Sequence, residues 1–264
     1  MTHHHKIARL DPWAHLRAYT AARIALGRTG ISLPTDEVLG FGYAHAMARD
    51  AVHRPLDVAE LRTALAEAGF DSMHVASAAP DRATYLLRPD LGRQLDAASI
   101  STLQQAADKG GDVLLVVGDG LSSLAVQRHA LPLLVQLRAL IPPTWRVGPV
   151  VVASQARVAL SDHIAELMQA RAVVMLIGER PGLSSPDSLG MYLTYAPHVG
   201  RQDGERNCIS NIRPEGLGYA AAARKTYWLL QEAVRLKLSG VGLKDESDVA
   251  ELVDAGITRL EGQG

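Results

Sequence analysis

The stretch that decides the fold runs Asp112-Val113-Leu114-Leu115-Val116-Val117-Gly118-Asp119-Gly120-Leu121-Ser122-Ser123. An uninterrupted apolar run at 113–117 has the length of a strand and shows no polar alternation, so both of its faces are read as buried. Gly118 and Gly120 permit a sharp turn, and the pattern that follows, to residue 141, is that of an amphipathic helix. The same unit recurs downstream. Apolar runs at 147–152 and 173–177 flank a helical segment at 162–169. Short apolar runs alternating with helices specify a mostly parallel sheet covered by helices on both faces. The expected fold class is therefore α/β, with a Rossmann-like domain over residues 111–240. Residues 192–195 and 209–212 are further strand candidates, and 218–238 reads as a long closing helix with Leu229, Leu230, Val234 and Leu238 on one side.

Residues 1–110 read as a smaller, mainly helical N-terminal region. Trp13, Leu16 and Ile24, and again Val38, Leu39, Phe41 and Met47, fall at helical spacing. Asp57 with Glu60 forms a capping-box-like start, Leu61 and Leu65 share a face, and Gly69 stops the helix. Two short extended pieces, 73–76 and 85–87, with Pro80 and Asp81 between them, predict a hairpin. The Gly- and acid-rich tail, 241–264, is expected to be loosely held.

A chain of 264 residues, 47% hydrophobic and 21% charged, can bury one large core, or one core plus a smaller lobe. Its 27 Lys and Arg against 28 Asp and Glu give a net charge of -1, which provides neither the positive field of a nucleic-acid binder nor a polybasic membrane patch. The longest apolar runs fall far short of the roughly 18–20 residues needed to span a bilayer. The Met1-Thr2-His3-His4-His5 opening is not a signal peptide. One cysteine, Cys208, excludes an internal disulfide and fits a reducing cytoplasm. The expected partners are a small molecule or another protein, with no nucleic acid and no membrane.

In an open parallel sheet the ligand crevice lies beyond the carboxyl ends of the strands. Two loops occupy that position. Gly118-Asp119-Gly120-Leu121-Ser122-Ser123 is either a cradle for a phosphate or cofactor or a tight turn; Ser123 stands where a dinucleotide fingerprint has its third glycine, and no acidic residue follows at the ribose distance. In Gly178-Glu179-Arg180-Pro181-Gly182-Leu183, Glu179 can accept hydrogen bonds from an amide-bearing ligand and Arg180 can orient it, against the reading of a solvated turn. Cys208 has no base assigned to it, and a lone cysteine is usually a small buried hydrophobe. His15, His45, His53, His74, His129, His163 and His198 make no HExxH or other ligand spacing, and there is no P-loop, GxSxG elbow or kinase loop. No metal site and no catalytic residue is expected.

Five stretches in order go further: Ala22-Arg23-Ile24-Ala25-Leu26-Gly27-Arg28-Thr29-Gly30, Leu87-Arg88-Pro89-Asp90-Leu91-Gly92-Arg93, Gly118-Asp119-Gly120-Leu121-Ser122, Gly178-Glu179-Arg180-Pro181-Gly182-Leu183 and Asn207-Cys208-Ile209-Ser210-Asn211-Ile212. Together they resemble the light chain of ethanolamine ammonia-lyase, over about residues 13–240. The resemblance implies the small subunit of an adenosylcobalamin-dependent hetero-oligomer that cleaves ethanolamine to acetaldehyde and ammonia by radical chemistry. A large (heavy) barrel subunit would hold the substrate, and this chain would contribute to binding the cofactor. Matched to the family's cobalamin contacts are Val158, Glu179 and Cys208. No Asp-x-His-x-x-Gly motif is present, so the cofactor's own base is expected to stay on cobalt. The implied location is the cytoplasm, with a protein-shelled bacterial microcompartment as the second option; the chain starts close to Trp13, where family members often carry a longer extension used for encapsulation. The alternatives are a stand-alone nucleotide- or dinucleotide-binding enzyme built on Gly118-Asp119-Gly120, and a non-catalytic protein-binding subunit.

Overall fold

A computed structural model describes residues 9–248. Among these residues six strands, β1 (Ser72–Ala76), β2 (Leu114–Gly118), β3 (Val150–Ser154), β4 (Ala172–Gly178), β5 (Leu189–Tyr195) and β6 (Asn207–Ile212), form one sheet in the order β1-β3-β2-β4-β5-β6. The first four in that order are parallel; β5 runs antiparallel to β4, and β6 antiparallel to β5. Among the described residues seven α-helices accompany them: α1 (Thr35–His53), α2 (Val58–Glu67), α3 (Arg82–Leu87), α4 (Ala97–Gln105), α5 (Ser123–Leu140), α6 (Leu160–Leu167) and α7 (Tyr219–Leu236).

The period-2 geometry of the strands divides the core in two. Leu115, Val117, Val152, Val174, Leu176, Met191 and Ile209 pack beneath α2, α5 and α7. Leu114, Val116, Val151, Val173, Met175 and Ile177 pack on the other face, against Leu103 of α4 and Leu160 and Ile164 of α6. To this second cluster β5 contributes only the half-buried Tyr192, and β6 contributes nothing. Cys208, Ser210 and Asn211 of β6 are exposed, so beyond α6 one face of the sheet edge is left open.

The expected hairpin does not form. Residues 73–76 lie in β1, which pairs in parallel with β3, and residues 85–87 end helix α3. The Asp81 carboxylate accepts the Thr84 N–H at 2.8 Å and starts that helix, while Tyr85 turns fully into the core. The apolar spacing of Trp13, Leu16 and Ile24 yields only a 3-10 turn, Ala14–Ala18. Beyond it residues 9–34 form an irregular arm of turns and isolated bridges: Arg9 and Arg28 exchange N–H···O bonds of 2.7 and 2.9 Å, and Gly27, at φ +76, sits where a Cβ would come within 2.8 Å of the Arg9 carbonyl. Asp57 does cap α2, through the Glu60 N–H at 2.9 Å, but the Glu60 side chain bonds Gln127 and does not close the box. The tail is held as far as residue 248: Leu243 is buried, and Asp245, Ser247 and Asp248 converge on Lys225; residues 249–264 and the His3–His5 tract lie outside the described residues. Among the described residues no helix is long and apolar enough to cross a membrane.

Candidate functional site

Strand β4 ends where Gly178 meets the next loop: a Cβ there would lie 2.0 Å from the Ser122 carbonyl oxygen. Glu179 is the first side chain beyond this contact. Its N–H donates to the Ser188 carbonyl at 2.9 Å, and its Oε2 accepts both the Ser188 hydroxyl and the Asn211 N–H, the latter at 3.3 Å. Asn211 reaches it because β6 carries a bulge: between the pairs Met191↔Ile209 and Leu189↔Ile212, β6 spends one residue more than β5, and Asn211 takes a positive φ of 58°. Glu179 Oε1 stands over Gly190, 3.1 Å from where a Cβ would be.

Further down the same face Tyr192 and Cys208 oppose each other in register. Partial burial pushes the Cys208 thiol up; a hydrogen bond from Tyr192 works against this and the Glu179 charge adds to it. The Tyr192 hydroxyl is pushed up as well, first by burial and then by Cys208 and Glu179. Cys208 is thus exposed, contrary to the usual small buried hydrophobe, yet is held toward its neutral thiol form. Val158, in the turn between β3 and α6, packs against the same apolar cluster as Tyr192. The structure therefore gathers Glu179 and Cys208 into one electrostatic group and puts Val158 on the same face. Arg180 is exposed.

Tyr192 and Ser188 escaped the sequence reading. Their signal was parity of residue type: Ser188, Gly190 and Tyr192 alternate with the aliphatic Leu189, Met191 and Leu193.

A buried ion pair fixes the two sides of this face relative to each other. Arg206, two residues before Cys208, binds Asp162 of α6, with both side chains only 2% exposed, and also donates to the Arg201 carbonyl at 2.9 Å. Burial pushes the Asp162 carboxyl up, against the pull of Arg206.

The loop Gly118-Asp119-Gly120 has a different role. Asp119 is buried, and its carboxylate accepts the N–H groups of Gln155 and Ala156, both at 2.9 Å, and pairs with Arg82 at 3.3 Å. The space above Gly120 is filled by the Gly178 carbonyl, 2.2 Å from where a Cβ would be. Ser122 caps α5 through the Ala125 N–H at 3.3 Å. These contacts make the loop a tight turn clamping β2 to β3 and β4, and the pyrophosphate seat needed by a dinucleotide enzyme is occupied by the chain itself. Among the described residues no three His, Cys, Asp or Glu side chains gather in a metal-holding arrangement.

Fold and site together define a class: a mixed α/β chain whose sheet leaves one edge face open and polar-lined, with no nucleophile–base pair on it among the described residues. Comparison with known proteins makes this specific. The family model of the ethanolamine ammonia-lyase light chain matches residues 10–244. The chain is 56% identical over 250 residues to the ethanolamine ammonia-lyase small subunit of Azotobacter vinelandii, covering 93% of each. It is 56% identical over 246 residues to that of Pseudomonas aeruginosa strain PAO1, covering 92% of this chain and 90% of the relative, and 55% identical over 256 residues to that of Pseudomonas putida strain GB-1, covering 96% and 94%. The chain belongs to the ethanolamine ammonia-lyase light-chain family.

Proposed function

We propose that this chain is the small subunit of an adenosylcobalamin-dependent ethanolamine ammonia-lyase, and that the open β5–β6 face forms one wall of the cofactor site, with a large subunit supplying the other wall and the substrate pocket. The observation that carries the reading is the convergence of Glu179, Tyr192 and Cys208 on a sheet face that no helix of this chain's second core cluster covers. The residues suit the group. A corrin fringed with carboxamides needs a broad surface with scattered acceptors and donors. Glu179 Oε1 stands over Gly190 while Oε2 takes the Ser188 and Asn211 hydrogen bonds, so Oε1 can accept a carboxamide N–H; the Tyr192–Cys208 pair offers a neutral, weakly polar floor, and Val158 adds apolar contact.

When bound, adenosylcobalamin supplies the radical chemistry of ammonia elimination. This chain's residues bind and orient: Ser188 and Asn211 hold the Glu179 carboxylate against the sheet, and Asp162–Arg206 keeps the Val158 turn in register with Cys208. Closing such a face against a partner excludes water from a reactive intermediate.

A second surface supports the partnership. Residues 10–47 expose Tyr19 at 85%, Ile31 at 99%, Leu39 at 68% and Tyr43 at 70%, while α1 buries only Ala51 in this chain's own core. An apolar surface of this extent fits a subunit interface. The location that follows from the family's biology is the cytoplasm or a protein-shelled microcompartment.

Replacing Glu179→Leu in the purified two-subunit complex tests the site. One charged hydrogen bond is worth about 1.5–3 kcal/mol, so the dissociation constant of adenosylcobalamin should rise by roughly one to two orders of magnitude, with the ethanolamine KM at saturating cofactor little changed. Equal cofactor affinity in mutant and wild type would remove Glu179 from the site.

A further inference from the structure

We infer that Asp187 is a positioning residue for Glu179, clamped from behind by α5 and α7. The inference rests on the reading of Glu179 as a cofactor contact. The loop between β4 and β5 is anchored at three consecutive residues. Ser122, the cap of α5, donates its hydroxyl to the Pro186 carbonyl at 2.8 Å. Asp187 Oδ2 receives Arg128 Nη1 at 2.8 Å and lies 3.3 Å from His129 Nε2. Ser188 then gives its hydroxyl to Glu179 and accepts the Glu179 N–H.

Behind this, His129 is 5% exposed and its Nδ1 lies 2.8 Å from the Tyr219 hydroxyl. The geometry satisfies both neighbours when Nε2–H donates to Asp187 and Nδ1 accepts from the Tyr219 hydroxyl. Each side chain in the relay Tyr219, His129, Asp187 is thereby oriented by the next. Residues 180–185, by contrast, are half-buried or exposed. The direction of the Ser188 hydroxyl is therefore fixed by the chain segment immediately before it. The Asp187 carboxylate is engaged by Arg128 and His129 of α5, so its effect on the cofactor passes through the adjoining Ser188 and Glu179.

The test is a double-mutant cycle on the purified complex with the large subunit, titrating adenosylcobalamin by visible absorbance. Asp187→Ala should raise the dissociation constant by about 3–10-fold, and Glu179→Ala by about 10–100-fold. The double variant should match Glu179→Ala to within about twofold, because a residue acting only through Glu179 has nothing left to position. Asp187→Asn, which keeps one oxygen for Arg128 or His129, should recover part of the loss, and the ethanolamine KM at saturating cofactor should stay within about twofold throughout. Should Asp187→Ala not assemble, Tyr219→Phe, which removes only the hydroxyl facing His129, takes its place in the cycle with a smaller expected rise of about 2–3-fold. Additive losses, or no loss on breaking the relay, would overturn the positioning role while leaving the Glu179 site standing. An unchanged affinity in Glu179→Ala alone would overturn both.

Discussion

Arg206→Met removes one partner of the most deeply buried ion pair among the described residues and leaves Asp162 without its cation. Both side chains are 2% exposed, so solvent screening does not dilute the effect, whereas the second partner, Asp203, is 97% exposed and contributes little. Breaking a buried pair from one side costs about 3–5 kcal/mol, a large part of the 5–15 kcal/mol that about covers a domain's whole stability. The double variant Asp162→Leu/Arg206→Met leaves no stranded charge and should recover to within about 2 kcal/mol of wild type. The pH dependence has a definite sign. Burial already pushes Asp162 up, and without Arg206 it rises further, so the folded variant retains a proton that the unfolded chain releases above the ordinary carboxylate value near about 3.9. The folded state of the single variant is thus favoured at low pH, and its deficit grows as pH rises through the folded value. Urea unfolding of the dilute chain, followed by circular dichroism at pH 5 and pH 8, measures both effects. A loss below about 1 kcal/mol, or a double variant no better than the single one, would refute the assignment of the pair as the clamp between α6 and β6.

Three further outcomes are expected. Cys208 in the isolated chain should alkylate several-fold more slowly at pH 7 than a free thiol, because its thiol is pushed up, and Glu179→Gln should speed the reaction by removing the adjacent charge; a rate indifferent to Glu179 would contradict the grouping of these side chains. The Asp187 carboxyl, pushed up by burial but pulled lower overall by Arg128 and His129, stabilises the fold above about pH 4, the ordinary carboxylate range, and loses that contribution as pH falls through its lower folded value. Asp187→Asn should therefore cost about 1 kcal/mol at neutral pH and flatten the acid limb of the stability curve measured by denaturant unfolding. Deleting residues 1–33, which carry exposed Trp13, Tyr19 and Ile31, should lower self-association of the isolated chain in sedimentation and weaken binding to the large subunit by roughly a hundredfold, with the melting temperature of the remainder within a few degrees of the parent.

Periodicity made the centre of the sheet legible. The apolar runs around Val116, Val151 and Val174 are buried on both faces, and only a strand between two layers of helix accounts for such runs. The edges were harder to read. Residues 73–76 and 85–87 are too short for period 2 and period 3.6 to be told apart, and the Asp81 cap decided for a helix only once Thr84 was in place to donate. The direction of β5 and β6 has no local signature, because strand orientation is set by pairing with β4. At the proposed site, Glu179 was legible from its loop as a candidate amide acceptor, and Val158, Glu179 and Cys208 were matched by the family resemblance; the meeting of Glu179 and Cys208 on one face depends on the Tyr192↔Cys208 register and the bulge at β6, which are tertiary facts. The apolar residues from Trp13 to Ile24 matched a helix pattern but serve an exposed arm; spacing alone cannot say whether an apolar residue faces its own core or another chain.

The most direct measurement of the central claim is a visible-absorbance titration of adenosylcobalamin into the large subunit alone, this chain alone, and the two combined, each with a parallel assay of ethanolamine turnover. Tight stoichiometric binding and turnover should appear only in the mixture, with binding in the mixture weakened by Glu179→Leu. Equal cofactor affinity and turnover for the large subunit without this chain would contradict the placement of the cofactor against the β5–β6 face.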